Sequence, residues 1–145
     1  MLGGMDHPWR RLRALTDWLL GWAELPDGYA GVTDFAHKTI WLDHRLSQAS
    51  RRSVLAHELE HVERRIVARD PVLRAREEEA VNRAAARRLI SIRQLGEALA
   101  WTMDLDEVAA ECWVDRATLE ARLRGLHPAE VHYLKRRLEH HEVPT

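Results

Sequence analysis

The stretch Leu55-Ala56-His57-Glu58-Leu59-Glu60-His61 decides how the rest of the chain is read. Two histidines four apart on a helix project from one face, about one turn apart, so both imidazoles can reach a single metal ion. A glutamate directly after the first histidine can then take a proton from water at that ion. This is the H-E-x-x-H pattern of zinc peptidases, with His57 and His61 as ligands and Glu58 as general base. The surrounding sequence supports a helix from about Ala49 to Arg69, free of internal Gly and Pro and stopped at Asp70-Pro71. Ser47 or Ser50 can cap its start. Leu55, Leu59, Val62 and Ile66 form one apolar stripe, and the two histidines fall roughly opposite it, free to line a cleft.

A catalytic zinc site takes three protein ligands and leaves a position open. The next helical segment offers the third in Arg76-Glu77-Glu78-Glu79-Ala80-Val81-Asn82. Glu78 and Asn82 share a face that continues along Ala85 and Leu89. The spacing predicts Glu78 as the ligand and Asn82 as a hydrogen-bonding partner that orients a ligating histidine. Glu79 is the alternative, since one residue of helical phase separates it from Glu78. Upstream, Tyr29-Ala30-Gly31-Val32-Thr33 and Lys38-Thr39-Ile40-Trp41-Leu42 are β-branched and aromatic segments that read as a hairpin. Strand 38–42 is expected to be the sheet edge that accepts an extended peptide through Ile40, Trp41 and Leu42. Tyr29, His37, His44 and Tyr133 are available to steady an oxyanion.

The run from Thr39 to Asp43, the H-E-x-x-H segment and the run from Glu78 through Ile90 together resemble the ImmA/IrrE family of metallopeptidases, common in phages, prophages and actinobacteria. The family's E-x-x-x-[ND] helix with small residues and a Leu-Leu-like pair corresponds here to Glu78, Asn82, Ala85, Ala86, Leu89 and Ile90. The resemblance implies zinc on His57, His61 and Glu78, with Glu58 as base. It also implies a repressor or other regulatory protein as the substrate that is cleaved or otherwise inactivated. Three positions depart from the family pattern: Glu60 stands where Gly is usual, Ala84 where Phe is frequent, and Ser91 where Pro is frequent.

The expected fold is α+β and mainly helical. A small zincin-like core over residues 1–90 combines the hairpin with the H-E-x-x-H helix and the Glu-ligand helix. A helical C-terminal subdomain follows over residues 91–145. Pro8 suits the first position of a helix running to about Leu20, with Trp9, Leu12, Leu15 and Leu19 inward and Gly21 ending it. Ser91 with Gln94 can cap a helix to about Trp101, and Pro128 begins a last helix to about His140.

Between them, Val108 to Leu119 has helix-turn-helix spacing, with Asp104 and Asp115 as caps. Charge argues against a DNA reader, because Asp104 to Arg124 holds six acids and three bases, whereas phosphate contacts need a basic surface. Trp113 also occupies the turn position where a small Gly is usual.

Composition agrees. The 145 residues carry a net charge of −1, which gives no bulk attraction to nucleic acid or anionic membrane. Single Cys112 cannot form an intramolecular disulfide, and Met1 to Asp6 shows no secretion signal, so the cytosol is the expected compartment, the host's if the gene is phage-borne. Two alternatives to the peptidase remain distinct from it: a catalytically silent protein that displaces a repressor by contact, and a helix-turn-helix DNA-binding regulator.

Overall fold

The structure, a computed structural model, describes residues 7–65 and 68–141. The described residues form the order α1 (Pro8–Ala14), β1 (Leu19–Ala23), β2 (Gly31–Asp34), β3 (Thr39–Asp43), α2 (Gln48–Arg64), α3 (Pro71–Leu89), α4 (Ile92–Trp101), α5 (Leu105–Glu111), α6 (Arg116–Arg124) and α7 (Pro128–His141). Mainly helical with one small sheet, this is the α+β architecture expected.

Local chemistry sets most of the boundaries. Ser47 caps α2 by accepting from the Ser50 N–H, and Asp70 caps α3 by accepting from Val72 and Leu73, with Pro71 at the first helical position. Ser91, Asp104 and Asp115 cap α4, α5 and α6 in the same way. At its other end α2 stops earlier than the periodicity predicts, because Arg65 turns into the left-handed region at φ 55°. Ile66 lies outside the described residues, as do Met1 to Asp6.

The first helix is also shorter than expected. Leu15 leaves helical geometry with its N–H bonded back to Leu12, and Leu19 and Leu20 belong to a strand. That strand changes the sheet. The order is β1-β3-β2, with β3 parallel to β1 and antiparallel to β2. Ile40, Trp41 and Leu42 therefore lie in the central strand, paired on both sides, and cannot present a free edge to a peptide. The strand read as the edge is the middle of the sheet. Its own side chains explain the position: Ile40 and Leu42 are fully buried against α2, while Trp41 on the opposite face lies over Gly21. A β-carbon at Gly21 would stand 2.5 Å from the Trp41 ring, so Gly21 is required within the strand and ends no helix.

Helix α2 is the spine. At about 100° per residue its side chains separate into distinct faces. Leu55, Leu59 and Val62 meet the sheet and α1, where Trp9, Leu12, Leu15, Trp18 and Leu20 close over them. Ala56, a quarter-turn away, joins a second core with Ala85, Leu89 and Ile90 of the α3 end. The same core contains Leu95 and Leu99 of α4, Val108 and Ala109 of α5, Leu119 of α6 and Leu134 of α7. Apolar packing thus runs without interruption across residue 90.

Buried arginines tie the helix ends to this core. Arg52 donates to the carbonyls of Leu89, Cys112 and Trp113 at 3.2, 3.1 and 2.9 Å. The turn between α5 and α6 holds Trp113 at φ 58°, the conformation for which Gly is usual, and the Arg52 bonds fix that backbone in place. Arg122, 2% exposed, donates to the Ile90 carbonyl and to Glu130. Glu60 is buried too. Arg88 lies 2.6 Å from it and Arg11 3.6 Å, so the residue that stands where the family usually has Gly ties α1, α2 and α3 together.

Candidate metal centre

His57 and His61 project from the α2 face that neither core claims, and α3 crosses in front of them. The two Nε2 atoms lie 3.2 Å apart. Glu78 reaches both, with Oε2 at 3.1 Å from His57 Nε2 and Oε1 at 2.8 Å from His61 Nε2. One ligand atom from each of the three residues lies within 4.8 Å of the others, and no second such His, Cys, Asp or Glu group exists among the described residues. Zinc bonds of 2.0–2.2 Å in a tetrahedron place neighbouring donors about 3.3 Å apart. The observed separations are close to that figure, and two imidazoles with one carboxylate are an ordinary zinc donor set. The residues fit the ion.

Glu79 does not join them. Its carboxylate takes Arg124 and Arg83 at 2.9–3.0 Å, and the Arg124 bond, followed by the weaker Arg83 contribution, holds it below the usual carboxylate range. Glu77 is turned to Arg64 at 2.6 Å, which lowers its pKa likewise. The run of three acids thus splits three ways, and Glu78 alone faces the histidines. Asn82, one turn along α3, lines the same cleft, but among the described residues it hydrogen-bonds neither imidazole.

Glu58 occupies the flank of α2 between the sheet face and the histidine face. It is buried, at 6% exposure, and Oε2 accepts from the Thr33 hydroxyl at 2.5 Å. Thr33 belongs to β2, one of the two edge strands, which among the described residues pairs with β3 alone. Gly31 on the same strand lets the backbone approach α2 closely; a β-carbon there would meet Val54 Cγ1 at 2.6 Å and Glu58 Cγ at 3.1 Å. Sequence reasoning missed both roles. A small residue in a strand signals close backbone approach, and alternation places Gly31 and Thr33 on the face opposite Val32, but neither cue names the partner.

These groups line a cleft of about 770 Å³. Its first wall is β2 with the preceding Gly28–Ala30 turn, its floor is α2 and α3, and its far wall is α6, through Ala117, Thr118, Ala121 and Arg124. The second helix of the helix-turn-helix-like pair is therefore part of the cleft. Its exposed basic residues are engaged: Arg124 at the cleft with Glu79, and Arg116 with Asp106 and Glu120. Of the four side chains considered for an oxyanion, Tyr29 lines the cleft, His37 pairs with Asp34 at 2.8 Å, and Tyr133 packs near Gly96 on the α4 side. His44 is not among the lining residues.

A sequence model of one protein family, Peptidase_M78 with the description IrrE N-terminal-like domain, matches residues 23–124, well over half of the chain. No curated protein and no solved structure matches. The matched span runs from the end of β1 through α6, so it includes both walls of the cleft as well as the three converging side chains.

Proposed function

Because the chain belongs to the ImmA/IrrE family through its IrrE N-terminal-like domain, we propose that it is a zinc-dependent endopeptidase that cleaves or inactivates a regulatory, repressor-type protein in the cytosol. The observation that carries the reading is the convergence of His57, His61 and Glu78 from two helices beside the buried carboxylate of Glu58. In this reading His57, His61 and Glu78 hold zinc. The ion supplies Lewis-acid chemistry when bound. Glu58 takes the proton of the attacking water and returns it to the leaving amine, and its hydrogen bond to Thr33 fixes the carboxylate beside the histidines. The open side of β2 receives the substrate backbone, a role that β3 cannot fill. Asn82, one turn along α3 from Glu78 and lining the same cleft, is the residue assigned to orient a ligating imidazole.

Two features count against the DNA-binding alternative. Arg116 and Arg124 of α6 are held by Asp106, Glu120 and Glu79, and α6 itself packs against α3 along the cleft. No helix among the described residues is long and apolar enough to cross a membrane.

The test is metal content together with cleavage of a purified helix-turn-helix repressor encoded beside this gene. Wild type should carry about one zinc per chain and release defined fragments. Glu58→Gln should keep the zinc and release none. A variant that still inactivates the repressor without cutting it would establish contact as the mechanism. A wild-type protein that holds no zinc would overturn the enzymatic reading.

A further inference from the structure

We propose that Thr33 is a positioning residue for Glu58, and that it decides which oxygen of that carboxylate handles the proton; the inference rests on the peptidase reading above. The Thr33 hydroxyl donates to Oε2 at 2.5 Å. Among the described residues Thr33 is the hydrogen-bond partner of this buried carboxylate, and no other is present. Oε2 is thereby occupied, and Oε1 is the atom left for chemistry. Gly31 sits against the same side chain, where an added β-carbon would stand 3.1 Å from Glu58 Cγ and 3.4 Å from Oε1. Two residues of one strand thus act on this side chain, Thr33 by bonding one oxygen and Gly31 by letting the strand approach its Cγ closely.

This arrangement has a further consequence, because β2 is the edge strand that lines the cleft. A peptide added there pairs with the backbone of the same residues whose side chains face Glu58. A shift of β2 by a few tenths of an ångström changes the Thr33–Glu58 bond directly. Seating the substrate and aligning the base are then one event, carried by a four-residue strand.

The test compares zinc-loaded full-length wild type, Thr33→Val and Thr33→Ser in high-resolution crystal structures, and in cleavage of the oxidised insulin B chain. Thr33→Val preserves shape and removes the donor; Thr33→Ala serves the same purpose if the valine variant does not fold. The expected result is unchanged zinc content and a Glu58 carboxylate rotated or split between conformers. With it, kcat should fall about 10- to 100-fold while KM stays within about twofold, as is usual for loss of a supporting hydrogen bond around a metal site. Thr33→Ser should restore both the carboxylate position and most of kcat. A Glu58 carboxylate that keeps its place in Thr33→Val, or a serine variant as impaired as the valine one, would overturn the proposal. If wild type holds zinc yet leaves the peptide intact, the peptidase reading for this probe fails. The carboxylate positions in the three structures still decide the role of Thr33.

Discussion

Substituting Gly31 by alanine tests how tightly the sheet is seated on α2. The new β-carbon would stand 2.6 Å from Val54 Cγ1 and 3.1 Å from Glu58 Cγ. Carbon atoms in contact sit about 3.5–4.0 Å apart, so β2 must retreat by about 1 Å or Val54 must leave its rotamer. Valine on a helix has one strongly preferred χ1, which makes retreat of the strand the cheaper response. Overpacking of this kind costs about 1–3 kcal/mol. Against it stands an entropic gain of about 0.4–1 kcal/mol from stiffening the unfolded chain, since Gly31 does not have a left-handed backbone. The steric effect wins, by about 1–2 kcal/mol, which for a chain of this size lowers Tm by about 3–8 °C. The same 1 Å would stretch the Thr33–Glu58 bond beyond hydrogen-bonding range, so hydrolysis should fall more than stability does. Thermal unfolding followed by circular dichroism, for Gly31→Ala, Val54→Ala and the double variant, isolates the clash. Trimming Val54 should recover most of the loss, giving a favourable coupling energy of about 1 kcal/mol or more. Strictly additive effects, or a Gly31→Ala chain as stable as wild type, would refute the close-approach argument.

Other expectations follow from the charged groups. Glu78→Gln should abolish zinc binding in a chelator competition. Glu79→Gln should retain it and lose less than about 1 kcal/mol of stability, because its pairs with Arg83 and Arg124 are partly exposed; the opposite pattern would exchange their roles. Arg52→Met keeps volume but leaves three carbonyls without their donor, so urea unfolding should show a loss of about 2–4 kcal/mol. An unchanged midpoint would mean that water or another side chain replaces the guanidinium. Glu130 is held well below the ordinary glutamate value of 4.5, chiefly by its hydrogen bond to Arg122, with Arg87 and the His127 N–H adding to it. A carboxyl with a depressed folded-state pKa stabilises fully above its unfolded value, and that stability is lost as pH falls. Urea midpoints from pH 7 to pH 3 should therefore fall more steeply for wild type than for Glu130→Gln, with the difference developing from about pH 5 downwards. Parallel curves would remove Glu130 from the account.

The parts legible in the sequence are those written in short-range patterns. Histidines at i and i+4, an acid one turn from an Asn on the next helix, and Ser or Asp before each apolar run all express local geometry. The structure brings His57, His61 and Glu78 together on neighbouring faces and sets the caps where expected. The hairpin of β2 and β3 was legible for the same reason. What local pattern could not supply is β1. Trp9, Leu12, Leu15 and Leu19 have helical spacing, and only the long-range parallel pairing with β3 draws Leu19 and Leu20 into a strand. That one pairing moves Ile40, Trp41 and Leu42 from the edge to the middle. The Thr33–Glu58 contact is hidden in the same way, since 25 residues separate its members and nothing in either segment names the other. Arg65 ends α2 in a conformation that Gly would advertise and Arg does not.

The far wall of the cleft has one more implication, for synthesis. A ribosome finishes His57, His61 and Glu78 well before it reaches residues 117–124, and chains begin to fold from their N-terminal side as they emerge. The emerging polypeptide thus owns its trio of donors before it owns the surface opposite them. Copies made only as far as Glu78 hold the three converging side chains with one wall of the cleft missing, and residues 117–124 close it later.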